Sequence, residues 1–253
     1  MPAEREKISV SAEVRLGVFL VCLVGLVIIF SPKLPDQSVL PVAIPERYIS
    51  SREIIRGDVS KKQVIFTFDG GDGSQSAEKI LEVLAQHQVK GSFFLTGRFV
   101  EKNVNLVKKI ATEGHEIYSH TYSHPRLPEL TNGEITQELK KTEEIMQSLI
   151  GVSPKPYFRA PYGDRDRRVL TQAFLNGYQS VYWTVDARDW QESTGMTIDQ
   201  VKAIVLDNLA PGNIYLMHLG DNITGQILDE LFTTIENRGY RIVSLLASFP
   251  FLP

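Results

Sequence analysis

From about residue 60 onward the chain alternates short runs dense in β-branched and aromatic residues with longer stretches whose apolar positions recur every three or four residues. The short runs predict strands at 63–68 (QVIFTF), 91–96 (GSFFLT), 115–119 (HEIYS), 156–159 (PYFR), 179–185 (QSVYWTV), 213–217 (NIYLM) and 240–244 (YRIVS). The longer stretches predict helices near 75–87, 100–113, 133–149, 166–176, 198–209 and 224–238. Several carry end signals. Thr131 with Glu134, and Thr197 with Gln200, have the spacing of capping boxes. Gly114, Gly151, Gly177 and Gly239 fall where a helix end calls for a left-handed residue. Strands alternating with helices predict an α/β fold with parallel strands, either a small (β/α) barrel, complete or not, or an open doubly wound sheet. Both architectures gather functional groups at the carboxyl ends of the strands.

A different pattern occupies the N-terminus. Residues 16–30 (LGVFLVCLVGLVIIF) form an unbroken apolar run closed by Ser31, Pro32 and Lys33. The run is short for a full membrane span and resembles the core of a secretory signal. No A-x-A site follows it, and Phe19, Leu20 and Val21 before Cys22 lack the small residues of a lipoprotein cleavage site. Residues 1–31 are therefore expected to be an uncleaved membrane anchor, with a cleaved signal as the alternative. Residues 32–50, with four prolines, are expected to be a linker, and residues 51–253 the folded domain. The expected location is outside the cytoplasm.

Composition removes several classes of function. The 27 Lys and Arg against 30 Asp and Glu leave no basic footprint for nucleic acid. Nothing calls for an obligate protein partner. Cys22 is the single cysteine, so neither an intrachain disulfide nor a cysteine metal site is available, and any metal must use His, Asp or Glu. No G-x-S-x-G elbow supports serine hydrolase chemistry.

The polar residues at strand ends are concentrated. Asp69 follows the first strand, His120 and His124 the third, Arg159 and Tyr162 the fourth, Asp186, Asp189 and Trp190 the fifth, and His218 the sixth. His120 and His124, four apart, have the spacing of two nitrogen ligands, although this spacing alone more often belongs to solvated or structural histidines. Asp69 opens TFDGGDG, a glycine-rich turn that also offers Asp72. Arg159 is a candidate to hold a carboxylate, or a structural ion pair. Asp189 is a candidate to support His218 as a proton donor, or a surface loop residue. Trp190 is equally a sugar platform or a core plug. His87 and His115 read as ordinary structural residues.

In this order TFDGG, SHTYSH, FRAPYGDRD, VDARDW and LMH resemble the five motifs of the polysaccharide deacetylase family, carbohydrate esterase family 4, also called the NodB-homology domain. The resemblance covers about residues 60–245. It implies a distorted (β/α)7 barrel, one divalent metal ion, zinc or cobalt, and removal of N-acetyl groups from chitin-like or peptidoglycan polymers. By position, Asp69 resembles the base that activates water, and His120 and His124 the metal ligands. The Tyr162 N–H resembles the oxyanion donor, Arg159 the orienter of the base, His218 the general acid and Asp189 its tuner. Trp190, Leu216 and Pro161 match substrate-binding positions. The family's first motif has two adjacent aspartates, the second a metal ligand, and that position is here Gly70. Its place falls to Asp72, to water or to a shifted Asp69. Asp166 stands where the third motif usually ends in Asn. Besides the deacetylase reading, Gly70 keeps open a catalytically silent sugar-binding cell-wall protein, and the same site fits an O-acetyl polysaccharide esterase.

Overall fold

The structure, a computed structural model, describes residues 53–249. The expected anchor, the linker and Cys22 lie outside the described residues. Among those described, no helix is long and apolar enough to cross a membrane.

The strands are β1 (Gln63–Gly70), β2 (Ser92–Leu95), β3 (Glu116–Ser119), β4 (Tyr157–Phe158), β5 (Gln179–Ser180), β6 (Val185–Asp186), β7 (Ile214–His218) and β8 (Arg241–Val243). Between them run α1 (Ala77–Gln86), α2 (Gly97–Lys102), α3 (Val104–Thr112), α4 (Asn132–Ile150), α5 (Arg167–Leu175), α6 (Ile198–Asp207), α7 (Ile223–Asn237) and α8 (Leu245–Ser248). The sheet order is β5-β4-β3-β2-β1-β7-β6, with β8 pairing the start of β1, and every pairing is parallel. β1 pairs with β2, β7 and β8 and is buried along nearly its whole length, which is why it carries a continuous apolar run, Val64 to Phe66, instead of alternating. Phe66 stacks on Tyr215 of β7 with ring centroids 4.7 Å apart and meets Phe232 of α7 edge-on at 4.9 Å. These contacts tie the central strands to the helical layer.

The end signals work as expected. Thr131 and Thr197 both form complete capping boxes, and Gly151 ends α4 at φ 71°. Two expected elements are divided. The helix over 100–113 is interrupted at Asn103, which ends α2 and starts α3 at φ −125°, outside helical values. The strand over 179–185 is split because its two halves serve opposite ends of the sheet order: β5 pairs β4, while β6 pairs β7. Between them Val181 N donates to Phe158 O (2.9 Å) and Thr184 N to Ile214 O (3.0 Å). One segment thus reaches both edges of the sheet.

Candidate active site

Parallel register decides what meets at the carboxyl ends. Asp69 pairs with His218 across β1 and β7, and Ser119 with Phe158 across β3 and β4. His120 and Arg159, one residue further, therefore emerge at neighbouring positions. His120 reaches a cavity of about 960 Å³ lined also by Asp69, Asp72, His124, Tyr162, Trp190, Leu216 and His218 among others.

Arg159 is wholly buried beneath this cavity. Its Nη1 donates to Asp69 Oδ1 (2.6 Å) and Thr67 Oγ1 (2.9 Å), its Nε to Val181 O (3.3 Å) and its Nη2 to Tyr182 O (3.2 Å). The Phe94 ring lies 4.2 Å from its guanidinium carbon. A charge so deeply buried is tolerated only when paired and hydrogen-bonded, and Asp69 is its carboxylate partner. One oxygen of Asp69 is thereby fixed and the other faces His120 Nε2 at 3.5 Å.

His120 Nδ1 donates to Arg159 O (3.0 Å), which leaves Nε2 as the acceptor nitrogen facing the cavity. His124 Nε2 is 3.1 Å from it. Burial pushes His120 down to about 4 and lowers His124 as well, so both imidazoles are neutral near pH 7. Thr121 and His124 both take left-handed backbone, at φ 65° and 63°. Each such residue costs on the order of 1–2 kcal/mol, so the loop is held by its surroundings.

This donor chemistry suits a divalent cation at two places. The third is not filled as the resemblance implies, because Gly70 carries no donor. A Cβ there would lie 2.7 Å from Leu95 Cδ2 and 3.0 Å from Leu219 Cδ1, so the direction a side chain would take is occupied by apolar groups. Among the described residues no set of three or more His, Cys, Asp or Glu has the arrangement to hold a metal ion. Asp72 lines the same cavity and acts electrostatically on His124.

Across the cavity His218 is backed by Asp189, which is fully buried at the start of a 3-10 turn (Asp189–Thr194). Asp189 Oδ1 meets His218 Nδ1 at 2.8 Å and accepts from Trp190 N (3.0 Å). Its Oδ2 accepts from His218 N and from Thr224 Oγ1, both at 2.6 Å. Burial alone would lower His218, but the Asp189 carboxylate outweighs it and holds the imidazole up to about 9. His218 therefore carries a proton at neutral pH. Burial works against the charge of Asp189 too, and His218 overcomes that effect, keeping its carboxyl below the usual range.

Tyr162 is exposed, in left-handed backbone at φ 58°, with its ring 4.5 Å edge-on to His124. Trp190 is half exposed at the rim, so it is not a core plug. Leu216 lines the wall. Pro161 is buried at the start of the turn that presents Tyr162 and is not among the lining residues. Asp166 caps α5, its Oδ1 accepting from Val169 N at 2.8 Å. The cavity also includes Arg98, Trp183, Glu192 and Asp221, which sequence reasoning did not single out as site residues. Trp183 was concealed inside the expected strand 179–185, and Asp221 lies three residues beyond His218.

A cavity at the carboxyl ends of parallel strands that holds a fixed carboxylate beside neutral imidazoles on one side and a protonated imidazole on the other is equipped for hydrolysis of an acyl bond. Residues 56–181 match the family model for polysaccharide deacetylases, and the chain belongs to that family. It is 39% identical to the peptidoglycan-N-acetylglucosamine deacetylase of Bacillus cereus over 197 residues, covering 76% of this chain and 70% of that protein. The solved peptidoglycan N-acetylglucosamine deacetylase Bc1960 superposes with a TM-score of 0.74 at 36% identity, covering 82% of this chain and 98% of that one. A carbohydrate esterase family 4 pseudoenzyme from Bacillus anthracis superposes with a TM-score of 0.73 at 31% identity, covering 78% of this chain and 68% of that one. A mutant of that pseudoenzyme has restored enzymatic activity.

Proposed function

We propose that this chain removes N-acetyl groups from N-acetylglucosamine-containing polysaccharide, peptidoglycan or chitin-like oligomers, at the cell surface. The observation that carries the reading is the pairing of Asp69 with His218 across adjacent strands, each with its own buried partner. Arg159 holds the first in place to accept a proton, and Asp189 keeps the second as a proton donor. Hydrolysis of an amide needs both, because water must lose a proton and the departing amine must gain one.

In this reading Asp69 takes the proton from the attacking water and His218 protonates the leaving nitrogen. The Tyr162 N–H donates to the carbonyl oxygen as it gains charge. Trp190 offers a face to a sugar ring, Leu216 borders the acetyl methyl, and Pro161 sets the turn that presents Tyr162. A divalent ion, zinc or cobalt, would be held by His120 and His124, with Asp72 the candidate third ligand, and would supply Lewis acidity toward water and carbonyl. We read the sheet as a distorted (β/α)7 barrel in which residues 179–186 count as one strand. The apolar run at residues 16–30 and the peptidoglycan-acting relatives support a membrane-anchored, extracytoplasmic location.

The test is acetate release from N-acetylglucosamine oligomers and from peptidoglycan by the purified chain, stripped of metal and then supplied with zinc or cobalt. Metal-dependent release is the expected result. Gly70 favours a second reading, a silent sugar-binding protein, in line with the pseudoenzyme relative. Retained sugar binding with no release under either metal would establish it.

A further inference from the structure

The segment between His120 and His124 is gripped from two sides. On one, the N–H groups of Gly97 and Arg98, at the start of α2, donate to the carbonyls of Thr121 (3.0 Å) and Tyr122 (3.1 Å). A Cβ at position 97 would lie 2.6 Å from Tyr122 Cδ2, so any residue larger than glycine there would push the Tyr122 ring aside. On the other, Glu138 reaches over from α4. Its Oε2 accepts from the N–H groups of Tyr122 and Ser123, both at 2.8 Å, and its Oε1 accepts from the Ser123 hydroxyl at 2.7 Å.

The helix does not require Glu138 for its own capping, because Thr131 and Glu134 already close the N-terminus of α4. All three of its side-chain hydrogen bonds go to two consecutive residues, and those residues lie between the two left-handed positions, Thr121 and His124. Hydrogen bonds to a carboxylate are about twice as strong as neutral ones, so the grip suits a segment that would relax if released. Relaxation at Thr121 or His124 would swing the His124 ring away from His120.

We propose that Glu138 is a positioning residue that clamps the 121–124 loop, sets His124 Nε2 against His120 Nε2, and thereby determines how tightly the histidine pair takes a divalent cation. The proposal rests on the reading of these histidines as metal ligands. It concerns a residue that touches neither substrate nor metal.

The test compares the full chain with Glu138→Ala, Glu138→Asp and Glu138→Gln. Zinc affinity is read by competition with a chromophoric chelator, and the imidazole signals of His120 and His124 are followed by NMR in the metal-free proteins. Outer-shell partners of metal ligands typically contribute 10- to 100-fold in affinity, so Glu138→Ala should weaken zinc roughly 10- to 100-fold and shift or broaden the His124 signals. Glu138→Asp, one methylene too short, should do the same and serves if the alanine variant does not fold. Glu138→Gln keeps an oxygen for the two N–H groups and should recover most of the affinity, which a role for charge alone would not give. Wild-type zinc affinity and unchanged histidine signals in both shortened variants overturn the clamp. If the wild type itself takes up no zinc, the ligand reading falls, and the histidine signals alone then decide whether Glu138 holds the loop.

Discussion

At the scale of single residues the site depends on two buried charge pairs with opposite assignments. Arg159 and Asp69 share a buried position, so removing one member strands the other. Arg159→Leu is expected to destabilise the chain by about 3–5 kcal/mol in urea unfolding, the usual cost of an uncompensated buried charge, as well as to abolish acetate release. His218 works the other way, needing its proton. Its value is held up to about 9 by Asp189, against an ordinary 6.5. Acetate release should therefore persist through neutral pH and fall as pH rises past about 9. In Asp189→Asn that alkaline limb should move down toward 6.5, and a limb that stays in place would separate His218 from proton donation. Because the raised value belongs to the folded state, the same pair also contributes stability that is complete below pH 6.5 and lost as pH climbs through about 9.

At the scale of elements, helix ends were the most legible part of the sequence, since capping boxes and terminal glycines act through contacts only three or four residues apart. Thr131→Ala should cost about 1 kcal/mol, read as a lowered urea midpoint, with its effect centred on α4. The five strand-end clusters were legible for a related reason: strand and following loop are contiguous, so Asp69, His120 and His218 could be placed without knowing the tertiary fold. What the sequence did not reveal depended on distant pairing. Trp183 and the break in 179–185 follow from which strands lie at either edge, and Glu138 acts across a helix on a loop 15 and 16 residues away in sequence. His87 is a similar case. It reads as ordinary, yet its Nε2 meets Asp229 (2.9 Å) and its Nδ1 meets Glu236 (3.0 Å), both on α7. Burial pulls this imidazole down, and the two carboxylates outweigh burial and raise it. The staple between α1 and α7 should be at full strength below pH 6.5 and weaken as pH rises through the raised value. His87→Gln should flatten that part of the stability profile in thermal unfolding measured across pH.

At the scale of the whole molecule the segment 179–186 matters most, because it serves both ends of the strand order. Thr184 anchors its second half twice: its Oγ1 accepts from Ile214 N at 2.7 Å and donates to Ile214 O at 3.1 Å. Thr184→Val removes both bonds with little change of shape and should destabilise by roughly 1–2 kcal/mol, measured by urea unfolding of the purified chain. There is a further consequence for behaviour in crowded solution. An open parallel sheet ends in two rows of unsatisfied backbone groups, each a template for a strand from another molecule. Here eight residues occupy both rows at once, so a weakened seam should show itself as self-association on warming or storage before the hydrolytic machinery itself is disturbed.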